Sequence, residues 1–208
     1  MSILLIRHGE TALNVARVLQ PADTPLSARG VTQAEALAQR LASMGVAAIV
    51  SSDLPRALTT ARAIAAATGA PVELSALLRE RDFGDWRGQP YDGMAVNPLT
   101  MLEAPPGGES AAAFAGRVAL AFEHIVRVRA AFGGALAVVT HGLLIRALLA
   151  SHARLSDSAA ATVAAPTHLG NTSLSVLDSQ PPHRVTLLNC TRHLDAASHD
   201  DVTALSGG

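Results

Sequence analysis

Short apolar runs recur along the chain, and each closes on polar or glycine residues. Ile3-Leu4-Leu5-Ile6 ends in Arg7-His8-Gly9, Val46-Ala47-Ala48-Ile49-Val50 ends in Ser51-Ser52-Asp53, and Leu136-Ala137-Val138-Val139 ends in Thr140-His141-Gly142. Runs of this length suit strands buried on both faces. Pro71–Leu74, Asn171–Leu177 and Val185–Leu188 read as further strands. Between them the apolar period changes to that of a helix. Ala34, Leu37, Ala38 and Leu41 recur at helical spacing through Met44, with Ser27 or Thr32 as cap. Pro55 suits the first turn of a helix running to about Thr68, with Asp53 as its cap candidate. Helices follow over Ser110–Phe132, stopped by Gly133-Gly134, and over residues 142–151. Thr11–Arg17 reads as a helical turn and Pro21–Pro25 as a loop.

Strands alternating with helices predict an α/β layer fold with a mainly parallel sheet. In such sheets ligands bind at the carboxyl ends of the strands, where His8, Ser51-Ser52-Asp53 and His141 fall. The length of 208 residues predicts one domain over 1–195. Within it, residues 79–110 have a different texture: charges, glycines, prolines and the only Trp and Tyr. They read as a cap-like insertion. The polar segment 196–208 reads as a flexible tail.

Composition narrows the functional classes. A net charge of −1 and few aromatics argue against nucleic acid or an anionic membrane surface as partner. No apolar stretch is long enough to span a bilayer, and the N-terminus lacks a signal-peptide pattern. The single cysteine, Cys190, agrees with a reducing cytoplasm. The chain contains no lysine, and all 16 basic residues are arginine. That excludes Schiff-base and P-loop lysine chemistry. An anion here must be held by Arg, protonated His or backbone N–H groups, and the planar guanidinium suits phosphate.

The two His-Gly corners suggest one site with two imidazoles. His8 is the candidate nucleophile, since a neutral imidazole can attack phosphorus, and Arg7 beside it can neutralise phosphoryl oxygens. Arg56, at a helix start, can reach the same site. His141 can donate to the phosphoryl group, and Gly142 allows close backbone approach. A proton donor for the leaving oxygen is also required. Glu80 is the first candidate, with Asp82, Asp85 and Glu109 as rivals on spacing. A catalytic metal is not expected, because neither His-Glu-x-x-His nor Cys-x-x-Cys occurs. His124, His152, His168, His183, His193 and His199 carry no supporting pattern and read mostly as surface or loop residues.

These motifs resemble the histidine phosphatase superfamily, also called the phosphoglycerate mutase-like family. The likeness lies in Leu5-Ile6-Arg7-His8-Gly9-Glu10-Thr11 with Asn14, and continues through Asp23-Thr24-Pro25-Leu26-Ser27, Ser51-Ser52-Asp53-Leu54-x-Arg56-Ala57, Leu78-x-Glu80-x-x-Phe83-Gly84-x-Trp86, Pro106-Gly107-Gly108-Glu109-Ser110 and Thr140-His141-Gly142. The resemblance implies a three-layer α/β/α sandwich. It implies His8 as the phosphorylated nucleophile, Arg7, Arg56 and His141 in the phosphate pocket, and Glu80 as proton donor. It further implies Asn14 and Gln20 as ligand contacts, the Gly142 and Leu143 amides as oxyanion donors, and no metal or other cofactor. The substrate it implies is a small phosphorylated metabolite. Phe83-Gly84-Asp85-Trp86 and the missing lysine look like the broad-specificity, α-ribazole phosphatase-like branch. The alternative is a 2,3-bisphosphoglycerate-dependent mutase, and a non-catalytic phospho-ligand binder is more remote. Trp86, Tyr91, Met94 and Met101 either line the leaving-group pocket or anchor the insertion. Residues 85–110 and 153–168 are expected around its mouth. The oligomeric state is open, a homodimer included.

Overall fold

A computed structural model describes residues 2–155 and 169–197 of the chain. Residues 198–208 of the expected flexible segment 196–208 and most of the expected pocket-mouth segment 153–168 lie outside the described residues, as do His168 and His199.

The strands are β1 (Ser2–Arg7), β2 (Val46–Ser51), β3 (Val72–Leu74), β4 (Ala135–Thr140), β5 (Leu174–Asp178) and β6 (Val185–Cys190). They form one sheet in the order β3-β2-β4-β1-β5-β6. The four strands from β3 to β1 run parallel, while β5 and β6 add an antiparallel edge. The helices are α1 (Ala12–Val15), α2 (Ala28–Leu41), α3 (Pro55–Thr68), α4 (Ala111–Ala130) and α5 (Gly142–His152).

The strand pattern explains the layers. Side chains alternate between faces, and the central strands are apolar at both parities. Ile3, Leu5, Ala48, Val50, Leu136 and Val138 pack against α4 and α5. Leu4, Ile6, Ile49, Ala137 and Val139 pack against α2 and α3. Helices thus cover both faces, giving the three-layer α/β/α sandwich that the motifs implied.

Several boundaries differ from expectation. The cap of α2 is Ser27, whose Oγ accepts the Gly30 N–H at 3.0 Å, and the helix ends at Leu41, before Met44. Leu54, with no side-chain cap bond, precedes α3; Asp53 is drawn instead to Arg79, which grips it with two nitrogens. β5 starts at Leu174, because Asn171 and Thr172 belong to the turn that closes over His8. His152 and His183 flank Phe122, one stacked at 4.5 Å and the other edge-on at 5.0 Å, and His183 is buried. His193 sits half-buried between Arg40 and Thr172. Burial, helped by Arg40, pulls its pKa down to about 4.

Candidate active site

The two His-Gly corners meet because β1 and β4 are parallel neighbours. Arg7 pairs with Thr140 in register, so the next residues, His8 and His141, leave the sheet side by side. Their rings lie 5.1 Å apart. On the other side of β4, β2 delivers Ser51 and Ser52 to the same edge.

His8 is held through its backbone: its N–H donates to Thr140 O (3.0 Å), and its carbonyl accepts from Thr172 N (3.2 Å) and Asn171 Nδ2 (3.1 Å). Its Nδ1 lies 2.7 Å from Gly9 O. A carbonyl only accepts, so Nδ1 carries the hydrogen and Nε2 the lone pair of the neutral ring.

The tautomer of His141 follows by the same accounting. Its Nε2 lies 2.9 Å from Ser52 Oγ, which also accepts the Leu54 N–H at 3.3 Å. Ser52 is fully buried, so its hydroxyl hydrogen needs a partner, and His141 Nε2 is the acceptor within reach. His141 then carries its hydrogen on Nδ1, a buried atom without a hydrogen-bond partner among the described residues. Burial first, then the charges of Arg56, His8 and Arg7, hold the His141 pKa well below the ordinary value. The ring is neutral at pH 7 and offers one N–H. Ser52→Ala is expected to lower kcat/KM about tenfold, the worth of one oriented donor of about 1.4 kcal/mol, with the fold retained. Steady-state rates and a thermal melt check this.

Arg7 and Arg56 bring the positive charge. Both are buried, and burial lowers each guanidinium to about 10, so both remain cations at neutral pH. Arg7 donates to Leu169 O, and Arg56 reaches Pro21 O at 3.3 Å.

Glu80 lies at the start of α5. Its Oε2 accepts the Leu143 N–H (3.0 Å), and its Oε1 accepts those of Leu144 (3.2 Å) and Arg81 (3.1 Å). Leu143, expected to point its amide at the ligand, therefore spends it on Glu80. The first turn of α5 thus anchors a carboxyl through the Leu143 and Leu144 amides. Burial raises the Glu80 pKa, against the Leu143 and Arg81 amides and the charges of Arg56 and Arg7. The rivals differ. Burial alone would raise Glu109 as well, but the Arg117 hydrogen bonds, the Asp82 amide and the nearby guanidiniums bring it below its usual value. Asp82 pairs with Arg87 at 2.6 Å, and Asp85 is exposed outside the cavity wall. Glu80 is thus the cavity carboxyl pushed toward the protonated form.

These groups line one cavity of about 580 Å³, together with Asn14, Gln20, Gly142 and Leu143. The Asn14 Oδ1 accepts from Thr11 N (3.1 Å) and Asn171 Nδ2 (3.2 Å), which turns its NH2 end to donor duty. Gln20 Oε1 accepts from Thr11 Oγ1 at 3.0 Å. Tyr91 lines the wall, while Trp86, Met94 and Met101 do not; Leu99 and Thr100 of the same segment do. Among the described residues, no group of three or more His, Cys, Asp or Glu side chains is arranged to hold a metal ion, and no helix is long and apolar enough to cross a membrane. Ser52 as a partner of His141, Asn171 as a brace on His8, and Arg117 are not among the residues the sequence motifs point to. Ser52 alone carried a signal, its place at a strand end.

The histidine phosphatase superfamily (branch 1) model matches residues 3–191. A probable phosphoglycerate mutase GpmB of Yersinia enterocolitica is 33% identical over 196 residues, 86% of each chain. A glucosyl-3-phosphoglycerate phosphatase of Mycolicibacterium vanbaalenii is 37% identical over 163 residues, 72% of each. Among solved structures, a mycobacterial glucosyl-3-phosphoglycerate phosphatase complexed with VO3 superposes with a TM-score of 0.71 at 34% identity, covering 85% of this chain and 90% of that one.

Proposed function

Since the chain belongs to branch 1 of the histidine phosphatase superfamily, we propose that it hydrolyses small phosphomonoesters through a phosphohistidine on His8. The observation that carries this reading is the geometry of one cavity. A tautomer-fixed imidazole, two buried guanidiniums and a second neutral imidazole line the same space as a carboxyl pushed upward.

In the first step the His8 Nε2 lone pair attacks phosphorus and the bond to the ester oxygen breaks. That oxygen takes the Glu80 proton and leaves as an alcohol. Arg7, Arg56 and the His141 Nδ1–H face the phosphoryl oxygens as charge develops, and the donors of Asn14 and Gln20 complete the ring of contacts. In the second step water gives a proton to the Glu80 carboxylate and its oxygen attacks phosphorus. The N–P bond breaks, inorganic phosphate leaves, and His8 and Glu80 return to their starting states. The chain's own groups supply every proton and charge, so this reading calls for no metal or other cofactor. The single cysteine fits a cytoplasmic setting for it.

The required Glu80 proton sets the pH dependence. A raised carboxyl stays protonated above the ordinary glutamate range of about 4.3. Then kcat/KM falls as pH rises through the Glu80 pKa, and that limb sits higher than for an exposed glutamate. Glu80→Gln removes it from the pH–rate profile.

The mutase-named relative favours a second reading, phosphoryl return to phosphoglycerate. The phosphatase-named relative and the absence of lysine support hydrolysis. Phosphate release from p-nitrophenyl phosphate and 3-phosphoglycerate, set against interconversion of 2- and 3-phosphoglycerate with 2,3-bisphosphoglycerate present, separates the two. Release is expected to dominate; efficient interconversion with negligible release overturns the phosphatase reading.

A further inference from the structure

We propose that Arg117 is a positioning residue for the proton donor, fixing Glu80 through its backbone and through Glu109; this rests on Glu80 acting as the acid. Arg117 projects from α4, and all five of its N–H donors are used. Nε donates to Glu109 Oε1 (2.8 Å), one terminal nitrogen to Leu77 O (2.9 Å) and Arg79 O (2.7 Å), and the other to Glu80 O (3.1 Å) and Glu109 Oε2 (2.7 Å). Although Arg117 borders the cavity, its donors are therefore committed to protein groups.

The need for such a residue follows from the local backbone. Past the single 3-10 turn at Ala76–Leu78 the chain runs irregularly to Gly84, so no ladder fixes the carbonyls of residues 79 and 80. Arg117 supplies fixed donors in place of that ladder. Glu109 extends the hold, since its Oε2 accepts the Asp82 N–H at 2.9 Å and its carbonyl accepts the Arg81 guanidinium. Glu80 is thus gripped twice: its backbone by α4 through Arg117, and its carboxyl by the first amides of α5. A small displacement of an acid from the leaving oxygen costs rate steeply. Lysine, with a compact ammonium and no planar fork, cannot reproduce the five contacts.

The test compares kcat/KM on β-glycerophosphate, whose alkoxide leaving group needs a proton, with p-nitrophenyl phosphate, whose phenolate does not. For Arg117→Lys we expect a loss of about 10- to 100-fold on the first and under about threefold on the second. Glu109→Gln, the milder change, is expected to give a smaller loss with the same selectivity. Glu80→Gln, run alongside, is expected to show the largest selective loss. Equal losses on both substrates for Arg117→Lys and Glu109→Gln, or none on glycerophosphate, overturn the positioning role. If that happens while Glu80→Gln remains selective, only the Arg117 inference fails. If Glu80→Gln is itself unselective, the acid assignment fails and takes the inference with it.

Discussion

Replacing His8 with Ala is expected to lower kcat on p-nitrophenyl phosphate by at least about 10⁴-fold, while inorganic phosphate still binds. Loss of a nucleophile leaves only the catalysis of the surrounding charge, as in other covalent mechanisms. That remaining binding is expected to come from Arg7, Arg56 and the His141 Nδ1–H, each of which has an anchor other than the His8 ring. Arg7 leans on Leu169 O, Arg56 on the Pro21 carbonyl, and His141 on Ser52. Truncation at His8 leaves its backbone bonds to Thr140, Thr172 and Asn171 intact, so the fold is expected to persist. Steady-state kinetics with phosphate as competitive inhibitor reads both halves. Turnover within about tenfold of the parent would remove His8 from the chemistry.

Gly30→Ala is expected to destabilise the fold by about 3–5 kcal/mol and to abolish most activity. Gly30 lies in the first turn of α2, and a Cβ there would stand 2.0 Å from Glu10 O and 2.8 Å from Glu10 N, both backbone atoms that cannot swing away. Gly9 faces it, with its own would-be Cβ 2.4 Å from Gly30 O. The corner after His8 and the start of α2 thus pass at backbone contact, fastened by the Ser27 N–H on Glu10 O at 2.8 Å. An added methyl must push the two apart. That overpacks a rigid crossing and shifts the Gly9 carbonyl that orients His8. Thermal unfolding and kcat/KM are the readouts. Gly116, with nothing near its would-be Cβ, is the control expected to tolerate Ala.

Much of the fold was legible because its elements are set by local pattern. Apolar runs of strand length, a Ser cap before α2 and a Pro at the start of α3 need no knowledge of distant residues. Strand-end placement of His8, Ser52 and His141 was readable for the same reason. That β1 and β4 are neighbours was not readable, since strand order depends on how the layers pack. Long-range partners escaped likewise. Asp53 resembles a cap until Arg79, 26 residues on, claims it. Leu143 resembles an oxyanion donor until Glu80 occupies its amide. Asn171 sits in what reads as a strand, yet its side chain turns back to His8 O. Arg117 is one of 16 arginines, and nothing in its neighbours along the chain reveals that Leu77, Arg79 and Glu80 lie against it.

In the proposed reaction the phosphoryl group rests on His8 Nε2 before water removes it. Mixing the enzyme rapidly with p-nitrophenyl phosphate, quenching in alkali to preserve phosphoramidates, and mapping the modified peptide by mass spectrometry reads that intermediate. One acid-labile phosphoryl group is expected, on the peptide carrying His8, formed within the first turnover and absent from His8→Ala. A trapped group on another residue, or full turnover with no phosphoenzyme at any quench time, would rule out a phosphohistidine at His8.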